Sequence, residues 1–290
     1  MKNAARLAFW LSIVVAVAFV AGCAANSDAG KSPAAPAVRP APPAGGQNQN
    51  QGVAPVIGDA MTNSASQEVT WIPIPAGFFM MGCSPGDTHC EANENPRHLV
   101  VLPDFFMTAA KITQAQYTEV VGANPSHFVA ANGYPTCPSC PVETVTWSQA
   151  EAFCQAIGGR LPTEAEWEYT ARANSPSVFS CGDDPVCLSA VAWDFENANA
   201  QIHAVAQKLP NQFDLYDMLG DAFEWTGDWY AADTYAALSI LDPAGPASGE
   251  YRVARGGDWL TKAAALRVSA RYAIAPAAAS MTLGFRCVYR

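Results

Sequence analysis

The amino-acid sequence predicts an α+β domain, loop-rich and disulfide-stapled, carried behind an export leader. Three observations point there. Besides Cys23 there are eight cysteines, an even number that in an exported chain reads as disulfides. Short apolar runs alternate with turn-rich segments from Trp71 onward. Only three stretches carry a convincing helical period. Half of the residues are apolar and eight are Trp, which suffices for one core of ordinary domain size.

In chain order, Lys2 and Arg6 flank the start of an apolar run over residues 7–20, shorter than the roughly 20 residues that span a bilayer. The run ends in Val20-Ala21-Gly22-Cys23, the pattern of a lipobox. Residues 1–22 therefore read as a lipoprotein signal peptide and Cys23 as the first mature residue, its thiol taking the lipid. Acyl chains contribute about 0.8 kcal/mol per buried methylene, so the membrane is one expected partner. Ala24, in place of Asp, favours the outer membrane, and the expected location is the bacterial cell envelope or cell surface, lipid-anchored. Residues 23–68 are dominated by Pro, Ala, Gly, Asn and Gln and read as a disordered tether. Such a tether holds the following domain on the order of 40 Å from the membrane.

The domain itself spans residues 69–290. WIPIPAGFFMMG and HLVVLPDFFMTAAKIT read as strands around Pro and Gly. Residues 113–121 read as a helix behind a hydroxyl cap. Residues 146–157 form a second helix that turns Trp147, Ala150, Phe153, Cys154 and Ile157 to one face. A third helix begins at Thr163, where Thr163 and Glu166 form a T-x-x-E capping box. Past residue 190 Trp, Tyr and Gly are frequent and periodicity is scarce, apart from the Trp-rich EWTGDWY strand.

Cys83 with Cys90, Cys137 with Cys140, and Cys181 with Cys187 lie close in sequence, leaving Cys154 and Cys287 as a long-range pair. Eight cysteines admit on the order of a hundred pairings, so proximity is only a guide. Cys137-Pro-Ser-Cys140 also has the spacing of a redox pair or half a zinc site, but Pro135, Pro138 and Pro141 make it a rigid loop without a strand-then-helix context. The formal net charge is −10 and no basic run is present, which argues against nucleic acid as a partner.

Five ordered segments resemble the formylglycine-generating enzyme (sulfatase-modifying factor) family: IPAGFFMMG, GGRLPTEAEWEYTARA, LPNQFDLYDMLGDAFEWTGDWY, RVARGGDW and LGFRC. The resemblance implies a formylglycine-generating-enzyme-like variant of the C-type lectin fold over the region from Trp71 to Arg290, and it implies that Cys154 pairs with Cys287. It also implies what is missing. The enzymes use two thiols near the C-terminus that bind copper(I), a soft ion selected by thiolates. At the matching positions this chain has Thr261 and Leu266, no cysteine lies between the RGG segment and Cys287, and Asp258 replaces the usual serine. Neither copper nor a catalytic residue is therefore expected. Related iron-dependent sulfoxide synthases hold their metal with clustered histidines, whereas His89, His98, His127 and His203 are scattered. The family's calcium segment does persist, and it implies structural Ca2+ held by Asp217, Glu224 and the carbonyls of Gly220 and Ala222, against the plainer alternative of Glu224 pairing with Arg286.

The C-terminal residues also resemble the variable region of diversity-generating retroelement target proteins, over a candidate variable region 255–287. Its fixed frame here is Arg255, Gly256, Gly257, Trp259, Leu266, Arg267, Arg271, Pro276, Gly284, Phe285 and Arg286. The resemblance implies a ligand-binding face built from Asp258, Trp259, Leu260, Thr261, Ala270, Tyr272, Ala273, Ile274, Met281 and Thr282. Leu260, Thr261, Tyr272 and Ile274 are expected to line a shallow groove for a protein, peptide or glycan ligand. Two alternatives stay open at this level, a divergent enzyme of the superfamily (a metal-dependent oxidase or maturation factor) and a structural envelope protein.

Overall fold

The computed structural model describes residues 68–290; the signal peptide, Cys23 and the tether lie outside the described residues. Among the described residues no helix is long and apolar enough to cross a membrane.

The apolar runs at the start of the domain become β1 (Trp71–Ile74), β2 (Gly77–Met81), β3 (His98–Leu102) and β4 (Phe105–Thr108), as expected. Strand β2 pairs antiparallel with β3, and β1 pairs antiparallel with β4. The three expected helices follow. They are α1 (Gln114–Val121), α2 (Trp147–Ala156) and α3 (Glu164–Arg172), each opened by a threonine whose hydroxyl accepts the N–H of the residue three positions on. In all three the side chain of that residue, Gln116, Gln149 or Glu166, returns the bond to the cap's backbone. Each box satisfies two amides that the first turn leaves without helical partners.

A short α4 (Leu188–Val191) leads into the region where periodicity is scarce, and there lies the largest sheet. It contains β5 (Phe223–Trp229), β6 (Arg252–Arg255), β7 (Tyr272–Ile274) and β8 (Leu283–Phe285), in the order β7-β6-β5-β8. Strand β5 runs antiparallel to β6 and parallel to β8, with an irregularity between Trp225 and Trp229. The last strand, β9 (Val288–Tyr289), returns to β4 and so ties the C-terminus to the first sheet.

All four expected disulfides are present: Cys83–Cys90, Cys137–Cys140, Cys154–Cys287 and Cys181–Cys187. The Cys154–Cys287 bridge joins α2 to the start of β9 inside a core of Phe153, Leu161, Trp225 and Phe285. Helix α3 departs from the usual amphipathic pattern, because all nine of its residues are buried. Its carboxylates Glu164, Glu166 and Glu168 therefore need charged partners inside the protein. Arg172 within the helix and Arg160 just before it supply two, and Arg255, Arg271 and Arg290 near the C-terminus supply the rest.

Candidate ligand-binding face

Residues 255–287 begin with a backbone that only glycine fits well. Gly256 and Gly257 have φ of 89° and 73°, and a Cβ on Gly256 would lie 2.9 Å from the Met218 carbonyl oxygen. This turn aims the Arg255 side chain inward. Its guanidinium pairs with Glu168, lies 3.3 Å from Glu164, and donates to the carbonyls of Val268, Ser269 and Ala270. Arg271 forks onto Glu164 at 2.6 and 2.8 Å. Arg267 forks onto Glu94 at 2.6 Å and also reaches Asp87. Arg286 forks onto Glu224 at 2.6 and 2.9 Å. Burial by itself would raise the Glu164 carboxyl, but Arg271 and Arg255 outweigh it and hold Glu164 below its ordinary value. These four arginines thus act as internal pillars, with Leu266 and Phe285 buried among them.

Between the pillars the chain comes to the surface. Leu260, Ala273 and Met281 are exposed; Thr261, Tyr272, Ile274 and Thr282 are partly exposed. Three expected ligand contacts are not on that surface. Asp258 is buried, and one carboxylate oxygen accepts the Leu260 N–H and the Thr261 hydroxyl, closing a local turn. Trp259 is buried edge-on against Phe128, and Ala270 is buried with its carbonyl held by Arg255. Their burial removes them from a ligand-facing set.

The remaining positions are linked through two aromatic residues outside the segment. Phe223 meets Tyr272 at 4.7 Å between ring centroids, and its N–H bonds the Thr282 carbonyl, so β7 and the approach to β8 share one patch. Phe195, about half exposed, donates its N–H to the Thr261 carbonyl and carries the Lys262 ammonium 5.0 Å above its ring. Tyr272 donates its hydroxyl to the Ala265 carbonyl, joining the two patches through the 263–265 turn. Phe195 sits in no segment the sequence pattern marks, and Phe223 lies in a marked segment, between Ala222 and Glu224, without being singled out there. A cavity of about 410 Å³ abuts the same turn, lined by Ala263, Ala264 and Arg267 on one side and Asp87, His89 and Phe179 on the other. Larger hollows of about 740 and 560 Å³ lie away from the segment, beside α1 and beside β2.

The positions matching the family's reactive thiols carry none. Leu266 is core, and the Thr261 hydroxyl is engaged with Asp258. Among the described residues the one group with metal-ligand spacing is Cys83, Asp87 and Cys90, whose two sulfurs are bonded to each other. His203 stacks on Trp193 at 3.8 Å, with Lys208 at 3.8 Å from the centroid of the same ring, and serves packing.

The calcium expectation does not survive the geometry. The two Glu224 oxygens receive Arg286 twice, the Trp167 indole N–H at 2.8 Å and the Lys111 ammonium at 3.1 Å, which fills the lone pairs of a carboxylate. Lys111 also donates to the Asp217 carbonyl. The Gly220 carbonyl accepts the Ala222 N–H. Asp217 keeps one oxygen on the Ala206 N–H and the other unpartnered, as is one oxygen of Asp221. Burial, reinforced by Asp217 and partly offset by Lys111, pushes Asp221 up to about 7. Asp217, Gly220, Ala222 and Glu224 therefore do not fit calcium as a donor set, and the pairing of Glu224 with Arg286 is what the fold uses.

Comparison with known proteins places these features. The family model described as "sulfatase-modifying factor enzyme 1-like domain" matches residues 56–290, beginning somewhat before the boundary at residue 69 read from the sequence. The serine/threonine-protein kinase pkn1 of Chlamydia pneumoniae is 34% identical over 70% of this chain, and the match covers 36% of that protein. The formylglycine-generating enzyme of Streptomyces coelicolor is 28% identical, over 74% of this chain and 88% of the enzyme. Among solved structures, Treponema denticola variable protein 1 superposes with a TM-score of 0.69 at 30% identity, covering 77% of this chain and 95% of that one.

Proposed function

We propose that this chain, which belongs to the sulfatase-modifying factor enzyme 1-like domain family, is a ligand-binding receptor of the cell envelope rather than a formylglycine-generating catalyst. The observation that carries the proposal is the division of residues 255–287 into two classes. Arg255, Arg267, Arg271 and Arg286 are locked in buried ion pairs, while Leu260, Ala273 and Met281 project outward and touch none of those pairs. A face of that kind changes its side chains without disturbing the scaffold. The likeness to a Treponema protein named for its variability supports the same reading, and extends it to diversification by a retroelement. The proposed contact set is Leu260, Thr261, Tyr272, Ala273, Ile274, Met281 and Thr282, with Phe195 and Phe223 as fixed aromatic neighbours. Leucine, isoleucine, methionine and aromatic rings suit the apolar part of a protein or peptide ligand. Cys23 would supply the membrane anchor and residues 23–68 the reach.

An enzymatic reading draws no support from the site. The thiol positions hold Thr261 and Leu266, and every cysteine among the described residues is in a disulfide. The kinase-named relative shares only 36% of its length with this chain, so its name does not transfer.

Sequencing codons 252–290 with their genomic surroundings in independent isolates tests the proposal. The expected result is variation confined to the seven contact positions, beside a reverse transcriptase and a template repeat. An invariant segment without a template would remove diversification. Mass-spectrometric detection of formylglycine in a sulfatase peptide treated with the purified protein would overturn the non-catalytic reading.

A further inference from the structure

The loop over residues 217–224 is centred on an ammonium group, and we infer that Lys111 is its resident cation and excludes divalent ions from it. The lysine is held in place by its neighbours. The Ile112 N–H bonds the Phe285 carbonyl, the Ile112 carbonyl accepts the Val142 N–H, and the Ala109 carbonyl accepts the Tyr216 N–H. The backbone is thus pinned on both sides of a side chain that is 1% exposed. From there Nζ reaches the Asp217 carbonyl and lies 3.1 Å from Glu224 Oε1, and its charge also acts on the Asp217 and Asp221 carboxyls.

Calcium requires roughly six to eight oxygens at about 2.3–2.6 Å. An ion that close to Glu224 Oε1 would collide with the ammonium already at 3.1 Å and would be repelled by it and by Arg286. Yet the anionic surplus for a divalent ion is still present. Asp217 Oδ1 and Asp221 Oδ2 are buried and unpartnered, and the Lys111 charge acts on both carboxyls. Removing the ammonium would leave Asp217, Asp221 and Glu224 around an empty cation position. A charge attached covalently is present whatever the external calcium concentration.

Thermal unfolding of the wild-type protein and of Lys111→Ala, each with EDTA and with millimolar calcium, tests the inference. The wild type is expected to melt at the same temperature in both media and to bind no calcium by metal analysis after dialysis. Lys111→Ala is expected to melt lower in EDTA and to gain about 5–10 °C at calcium a hundredfold above its Kd. Should Lys111→Ala fail to fold in EDTA, refolding in calcium gives the same readout, because folding is expected only there. Calcium bound to the wild type, a calcium-dependent melting temperature of the wild type, or a variant indifferent to calcium in both unfolding and refolding would each overturn the inference.

Discussion

Helix α3 and the segment over residues 255–287 face each other across the core and use opposite designs. The helix announces itself locally through its Thr163–Glu166 box, then buries every residue it has. The segment has no period; its buried residues fall in three blocks, 255–259, 266–271 and 283–287, with the exposed side chains between them. Two of its arginines, Arg255 and Arg271, end on the helix's Glu164 and Glu168. In α3 every position is structural, whereas in the segment the structural positions stop at the edges of its three buried blocks. A surface that tolerates change needs such an unyielding counterpart, because the net stability of a domain is only about 5–15 kcal/mol.

The contrast is broken most strongly at the staple behind the segment. Cys154→Ala with Cys287→Ala should lower unfolding free energy in urea by about 4–5 kcal/mol, against about 2 kcal/mol for Cys137→Ala with Cys140→Ala, since the closed loop is far longer. Similar losses would show that the native state, and not loop closure, sets the value. Next comes Arg271→Met, which leaves the buried Glu164 carboxylate without its fork and should cost about 3–5 kcal/mol by the same measurement.

An effect smaller at any single pH step is expected in pH dependence at the start of α3. Asp228 Oδ2 accepts the Glu164 N–H at 2.7 Å, and burial, with Glu164 close by, pushes Asp228 up to about 8 from an ordinary 3.8. Glu166 adds to the rise and Arg271 opposes it. A carboxyl raised on folding stabilises fully below its unfolded value, and that stability is lost as pH rises through about 8. Stability should therefore decline between about pH 4 and 8 by at most about 1.4 kcal/mol per pH unit from this group, and Asp228→Asn should flatten the decline. A slope unchanged in the variant would assign the dependence to other groups. The smallest effect belongs to the proposed face: Leu260→Ser, Ala273→Ser and Met281→Ser should each stay within about 0.5 kcal/mol of the wild type. If any of them costs as much as Arg271→Met, the division into pillars and face is wrong.

The groove expected among Leu260, Thr261, Tyr272 and Ile274 shows how far the residue pattern reaches. It names the segment and separates the arginines from what lies between them. It does not tell that Asp258, Trp259 and Ala270 are buried, because a resemblance along a loop does not fix which side chains turn inward; the double-glycine turn and the Asp258–Thr261 hydrogen bond do that. It also omits Phe223 and Phe195, which reach the face from elsewhere in the chain.

By itself the sequence determined the elements whose signals are local. The caps at Thr113, Thr146 and Thr163 act over three residues, the early strands follow from short apolar runs, and the short disulfide loops follow from cysteine spacing. Tertiary structure alone decided the charge pairing. Glu94 with Arg267, Glu164 with Arg271, Glu168 with Arg255 and Lys111 with Glu224 join residues far apart in the chain, and no periodicity encodes them. A buried charge is satisfied by whichever opposite charge the fold brings within reach, so partners at such separation are fixed only when the backbone is. Along the chain Glu224 therefore reads either as a calcium ligand or as a partner of Arg286, and in the folded protein it pairs with Arg286 and also with Lys111.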